Sequence, residues 1–234
     1  MKSKLLASFL LLSLVLSSQA FASEKDIYGF SWLDPDKEVY VLQNRKFRKA
    51  GHLHVNAGGG ITTSGAFVDA TAIQGRLGYF ISEDFGFEGI YSKNSGKENS
   101  TAKGVQTNNG AGASTPFRRI VDSYMGAMFL WSPFYSKINT FNKIVYMDWI
   151  FGLGYAQLKE KNNSLVFKSL GIDKSDTSES HSGIMWEAGM KFYLDPSFSI
   201  RTDLTAVHYQ ATSLAGNSTF YSNFDATVSL GYTF

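Results

Sequence analysis

The sequence predicts an all-β fold: an eight-stranded antiparallel up-and-down transmembrane β-barrel. Three observations carry that prediction. Eight segments alternate apolar and polar residues with a period of two. The connections between them alternate between tight turns and long polar stretches. A secretory leader precedes them, and no later apolar run reaches the roughly 18–20 residues of a helical span.

The leader is "MKSKLLASFLLLSLVLSSQAFA", residues 1–22. It has a basic start (Lys2, Lys4), an apolar run from Leu5 to Leu16 and small residues before a cleavage point after Ala22. The run is too short for a membrane anchor, and no Cys exists to accept a lipid. A chain from Ser23 onward suffices for one sizeable domain. Removing Lys2 and Lys4 with the leader levels the basic residues with the 20 acidic ones, and a neutral chain carries no electrostatic footprint for nucleic acid. Residues 23–49 read as a periplasmic lead-in: charged, aromatic and without alternation, ending in the basic run "QNRKFRKAG". That run is expected to be solvated, with contact to anionic lipid heads or a periplasmic partner as the sharper alternative.

The barrel is expected over 50–234, with strands near 51–61, 70–80, 85–94, 119–131, 144–158, 183–194, 198–210 and 221–234. Segments of about ten or more residues exceed the usual soluble strand and suit a tilted bilayer crossing. In the sixth, Ile184, Trp186, Ala188, Met190, Phe192 and Leu194 share one face, and Met185, Glu187, Gly189, Lys191 and Tyr193 the other. "SED" (Ser82–Asp84) and "DPS" (Asp195–Ser197) are tight turns, expected on the periplasmic side. Asn94–Phe117 and Lys159–Ser182 are long, polar and expected outside the cell. "SPFYSKINTFNK" (Ser132–Lys143) breaks the pattern as a long aromatic connection at the periplasmic side, fitting a small ledge or a short helix.

Alternation alone cannot say which face is inside. The polar face is large and charged, whereas the apolar face carries aromatics near strand ends: Tyr79, Phe85, Trp131, Tyr155, Phe192, Tyr221, Tyr232 and Phe234. Aromatics at both margins of an apolar band mark a membrane girdle, so the polar face points inward. Eight strands leave a lumen just wide enough for side chains to fill. The expected lumenal network is His52, His54, Arg76, Glu88, Asp122, Asp148, Glu187, Lys191, Arg201, Asp203 and Asp225. With tight turns, Tyr79 opposes Phe85 and Arg76 faces Glu88. Likewise Leu194 opposes Phe198, and Lys191 faces Arg201, a like-charge pair that needs Asp203 or Glu187 nearby. Protonated histidines would reduce the acid excess of this set.

No catalytic, cofactor-binding or metal residues are assigned. His52 and His54 share a face, but no third metal ligand accompanies them. His208 and His181, the latter beside Ser182, are the candidates for lipid-modifying chemistry. The spacing of a His followed two residues later by Ser is missing at both. "GGG" (Gly58–Gly60) lacks the Lys-Ser/Thr of a phosphate loop and reads as a bend or close approach.

"VYVLQNRKFRKAGHLHVNAGGG", "LGYFISEDFGFEG" and "WSPFYSKINTFNKIVYMDWIFGLGYA" resemble the outer-membrane β-barrel domain proteins of predatory and gliding Gram-negative bacteria. The whole from Glu38 to Phe234 is similar to small eight-stranded outer-membrane barrels. The resemblance implies location and fold, with outer-membrane lipids as surroundings, but no activity. It also implies that Leu230, Tyr232 and Phe234 form the terminal signal read by the barrel-assembly machinery. The expected role is structural or surface-contact through the long loops, whose partner the sequence does not name. A narrow ion or solute channel is the alternative, and a lipid-modifying enzyme the second.

Overall fold

The computed structural model describes residues 45–63, 65, 67–108, 116–140, 143–165 and 176–234. The leader expected over 1–22 and the lead-in up to 44 lie outside the described residues. The strands are β1 (Leu53–Thr63), β2 (Val68–Phe80), β3 (Phe85–Glu98), β4 (Arg119–Trp131), β5 (Tyr135–Thr140), β6 (Lys143–Asn162), β7 (Thr177–Tyr193), β8 (Phe198–Thr212) and β9 (Ser218–Thr233). A helix, α1 (Ser100–Asn108), follows β3.

All pairings between these strands are antiparallel. The order β1-β2-β3-β4-β6-β7-β8-β9 returns to β1 through pairs from His54↔Thr233 to Thr62↔Asp225. The sheet is therefore a closed eight-stranded barrel, and closure leaves no ladder edge in the wall. Each of the eight expected strands is present. β5 is a ninth strand outside the ring, in the Ser132–Lys143 connection where a ledge or a short helix was expected. It pairs with the start of β6 from Tyr135↔Asp148 to Thr140↔Lys143. Tyr135, Ile138, Val145 and Tyr146 favour a pleated ribbon over a helix.

β6 and β7 also run further than expected. Their pairing continues from Gln157↔Ser182 to Asn162↔Thr177, through residues read from sequence as loop. "KEKN" and "SESHS" keep the alternation but carry little apolar signal, so hydrophobic periodicity misses them.

One end of the barrel holds the short connections 81–84 and 194–197 together with the N-terminal approach and Phe234; it is called the turn end below. The packed unit begins at Arg45; within the expected lead-in Phe47 and Lys49 are buried, whereas Lys46 and Arg48 remain exposed. The Arg45 guanidinium meets Glu83 at 3.3 Å and Asp84 at 3.0 Å. The backbone N–H groups of Lys49 and Ala50 donate to the Glu83 carboxylate. Phe47 stacks on Tyr193 with centroids 4.8 Å apart and meets Tyr146 edge-on.

The outer wall is apolar. Ile61, Ile73, Leu77, Leu153, Ile184, Val228 and Leu230 are exposed there. Phe85, Phe87, Phe129, Trp131, Phe198, Tyr232 and Phe234 crowd the turn end, and Tyr91, Tyr155, Phe220 and Phe224 the other. Tyr221, expected in this girdle, instead faces inward. It sits two residues before inward Asn223, with its ring 4.2 Å from the Arg119 guanidinium carbon.

The closing seam between β1 and β9 depends on two glycines. Gly58 and Gly60 face the lumen, and a Cβ there would lie 2.1 Å from the Val228 carbonyl oxygen and 1.9 Å from that of Ala226. Gly75 has open space at the same position. Gly60→Ala should therefore destabilise the folded barrel by about 1–3 kcal/mol through backbone displacement, and Gly75→Ala should be near neutral. Urea unfolding followed by heat-modifiable gel migration measures both.

Candidate functional site

The inward residues of β2, β3, β7 and β8 place a charged cluster at mid-barrel. Arg76 on β2 meets Glu88 on β3 at 2.8 Å, bonds Glu187 on β7, and donates to Thr205 Oγ1 at 2.8 Å. Arg201 on β8 meets Glu88 at 2.6 Å, Glu187 at 2.6 Å and Asp203 at 2.7 Å. Both glutamates are thus shared between both arginines. Arg201 is 0% exposed, so its charge depends on these partners.

The register explains the cluster in part as expected and in part differently. Lys191 pairs with Arg201, with Glu187 and Asp203 supplying the compensating carboxylates. At the other hairpin Tyr79 pairs with Phe87, and Arg76 with Ile90, a shift of two residues from the expected register. The turn spans 81–84 because Glu83 and Asp84 are taken up by Arg45, Lys49 and Ala50. A shift of two keeps every side chain on its face, so Arg76 reaches Glu88 diagonally.

Asp148 lies nearer the turn end. It accepts from Lys49 at 2.9 Å and from the Tyr193 hydroxyl at 2.5 Å, and pairs in register with Lys191. Lys49 is 2% exposed, donates to Ser132 Oγ at 2.6 Å and lies over the Phe80 ring. Burial pushes its ammonium below the usual lysine range, against the opposing pull of Asp148. Lys49 therefore stoppers the turn end, a role its place in a basic run conceals. Asp225, towards the other end, is held by neutral donors: Tyr124 hydroxyl at 2.7 Å, Gln74 at 3.0 Å and Asn223 at 2.7 Å.

Two expected members stand elsewhere, Asp122 and His52, while His54 is inside but apart from the charge cluster. Asp122 is outside the lumen, between Lys93 and Lys161. A bulge between Val121 and Ser123 inserts it as an unpaired residue and turns it outward. His52 is exposed before β1 begins, with Nδ1 2.5 Å from the Phe234 carbonyl oxygen. His54 is buried against Phe80, apart from His52 and with no hydrogen bond at Nε2. With Asp122 out and Lys49 in, the acid excess shrinks.

The lumen is not uniformly polar. Ile90, Met128, Leu130, Ile150, Leu158, Met185 and Val207 fill the wall of β3, β4, β6, β7 and β8. Towards the loop end, a cavity of about 220 Å³ is lined by Thr63, Phe117, Arg119, Tyr209, Tyr221 and Asn223 among others.

Residues 8–234 match the family model described as outer membrane protein beta-barrel domain. The chain belongs to that family. As an outer-membrane barrel, it resides in the bacterial outer membrane. Among curated proteins none matches it. Similar solved structures include the N-terminal β-barrel domain of Pseudomonas aeruginosa OprF, 13% identical with TM-score 0.47, covering 79% of this chain and 98% of that one. Neisserial surface protein A is 12% identical with TM-score 0.47, covering 78% and 96%. Ail of Yersinia pestis is 14% identical with TM-score 0.41, covering 79% and 99%.

On this outer-membrane barrel the hydrolytic candidates can be judged by geometry. His181 and Ser182 are successive strand residues and point to opposite faces. His208 does meet a serine across the strands, Ser222, at 2.7 Å. However, the Trp186 indole N–H donates to His208 Nε2 at 2.8 Å. An indole only donates, so Nε2 accepts and, in the neutral ring, Nδ1 carries the proton. That imidazole donates to Ser222 and cannot act as its base.

Arg201→Met would leave Glu88, Glu187 and Asp203 crowded in the lumen, and should cost about 3–5 kcal/mol in urea unfolding. A double-mutant cycle on Arg76 and Glu88 should show coupling of about 0.5–3 kcal/mol. Additivity of the two single changes would contradict the geometry described.

Proposed function

We propose that this barrel is a non-conducting, non-enzymatic envelope protein that stiffens the outer membrane and presents its long loops for surface contact. One observation carries the reading. The lumen is filled from Lys49 and Asp148 through the shared arginine–glutamate cluster to Asp225 and Tyr124, leaving the cavity near the loop end separate from the turn end. Moving an ion through would require separating buried charge pairs, at a cost of several kcal/mol each. The His208 tautomer supports the non-enzymatic part of the proposal.

In this reading the turn end faces the periplasm, because an exported chain with an even number of wall strands brings both ends of the barrel to one side. The helix α1 and the connections after β3 and β6 then face outward. The leader ends after Ala22 and is removed on export. The narrower kinship with barrels of predatory and gliding bacteria rests on the quoted motifs around Gly58–Gly60 and Trp131–Ala156.

Leu230, Tyr232 and Phe234 all project to the lipid side, as a signal for the assembly machinery requires. Phe234 also closes the seam: its N–H donates to the Leu53 carbonyl at 2.9 Å, and its ring packs edge-on against Tyr232.

Planar-bilayer recording of the purified protein should show no steady single-channel steps. Reproducible steps removed by Arg201 substitution would favour a channel instead. Deleting Phe234 should sharply reduce heat-modifiable barrel in membranes, whereas deleting a residue of the 99–118 loop should not. Proteases applied to whole cells should cut that loop and spare the 81–84 turn.

A further inference from the structure

The inward parity of β6 and β7 continues above the membrane belt and brings two carboxylates face to face. Glu160 and Glu179 are direct register partners, both on the lumenal side. Like charges directly opposite on paired strands repel. Nothing in the mid-barrel cluster reaches this level to separate them.

The local donors gather on one oxygen of each carboxylate. The Asn162 side-chain amide donates to Glu160 Oε1 at 3.1 Å and to Glu179 Oε1 at 3.2 Å. Arg119 Nε lies 3.1 Å from that same Glu160 Oε1, and its Nη2 donates to the Thr212 carbonyl. The other oxygens turn towards His181 on β7. Its Nε2 lies 3.4 Å from Glu179 Oε2 and 3.9 Å from Glu160 Oε2. Glu160 is 0% exposed, yet its Oε2 has no hydrogen-bonding partner, and neither does His181 Nε2. Tyr209, whose hydroxyl adjoins the Glu160 carboxylate, stacks on the His181 ring and fixes its plane.

A buried carboxylate oxygen and an imidazole nitrogen without hydrogen-bond partners, beside the partly solvent-exposed Glu179 Oε2, form a corner that can take a cation. All three atoms lie within 4.8 Å of one another. Ligands bound at about 2.0–2.2 Å in a tetrahedron stand about 3.3–3.6 Å apart. The His181–Glu179 spacing already has that value, Glu160 stands 3.9 Å from His181, and the set closes within 4.8 Å, so ion binding draws the two carboxylates together. The donor set mixes imidazole with carboxylate, which suits zinc and its first-row neighbours over calcium or magnesium. Asn162 serves as the outer partner that orients both carboxylates.

We propose that Glu160, Glu179 and His181 bind a divalent transition-metal ion of the zinc class, with three protein ligands and a fourth position open to solvent. The site stands apart from the filled lumen below it and does not depend on whether the barrel conducts.

The test is calorimetric titration of the purified full-length chain, folded in detergent micelles, with Zn²⁺. Wild type should take up one ion saturably. Glu179→Gln and His181→Ala should each weaken binding at least tenfold, while His52→Ala and Lys159→Gln should leave it unchanged. Absence of saturable uptake by wild type, or wild-type affinity in His181→Ala, would overturn the site. Gel migration reports whether each variant folds. Should either ligand variant misfold, the Co²⁺ spectrum of wild type decides: intense visible d–d bands of a four-coordinate ion support the site, and the weak spectrum of the aqua ion refutes it.

Discussion

Two arginines and two glutamates share one another's charge at the centre of this barrel, and the rest of the molecule is organised around that exchange. Arg76, Glu88, Glu187 and Arg201 come from β2, β3, β7 and β8. β2 and β3 are neighbours, as are β7 and β8, but β1 and β9 separate the two pairs. The Arg76–Glu187 and Arg201–Glu88 bridges therefore cross the lumen and tie strands that share no backbone hydrogen bonds. Buried ion pairs contribute little net stability against their desolvation. Their value here is discrimination: a one-residue slip of any of the four strands would turn a charge out into lipid. The closed register is the arrangement that keeps all four inside.

In a dry lumen that cluster depends on complete pairing, and the surroundings are shaped to hold it in place. One wall is packed with Met128, Leu130, Ile150 and Met185. At the turn end Lys49 and Phe47 close the interior with residues from outside the strands. The seam of β1 and β9 makes room by omitting side chains at Gly58 and Gly60. Charge, apolar packing and absent side chains are three ways of filling one narrow cylinder. Together they fill the middle of the cylinder and leave open the cavity towards the loop end.

Much of this was legible because parity in a strand is a strict rule. Once the outward face was identified, Glu187, Lys191, Arg201, Asp203 and Asp225 could be placed inside by counting. The failures are the places where something outside the strand intervened. The bulge at Asp122 adds a residue that no hydrophobic period reveals. The Arg45–Asp84 contact lengthens a turn that looks shorter in isolation. Lys49 reads as one more surface cation until its partner, far along the chain at Asp148, is seen. Parity also fails where it is not followed far enough. Glu160 and His181 obey it fully, but they lie in polar sequence that resembles loop.

The two ends of the lumen then show why the same repulsion is handled differently at different depths. At mid-barrel the carboxylates are sealed from water, so their counter-charge must be built in, and guanidinium groups that never lose their proton provide it. At the loop end Glu160 is buried, but Glu179 and His181 remain partly open to solvent. A permanent cation is not required where ions can arrive from solution. Arg119 pairs with Glu160 Oε1, yet it spends its other contacts on the Thr212 carbonyl and the Tyr221 ring and leaves Glu160 Oε2 unanswered. Depth thus sets which positive charge can serve: covalently fixed in the dry centre, exchangeable at the rim.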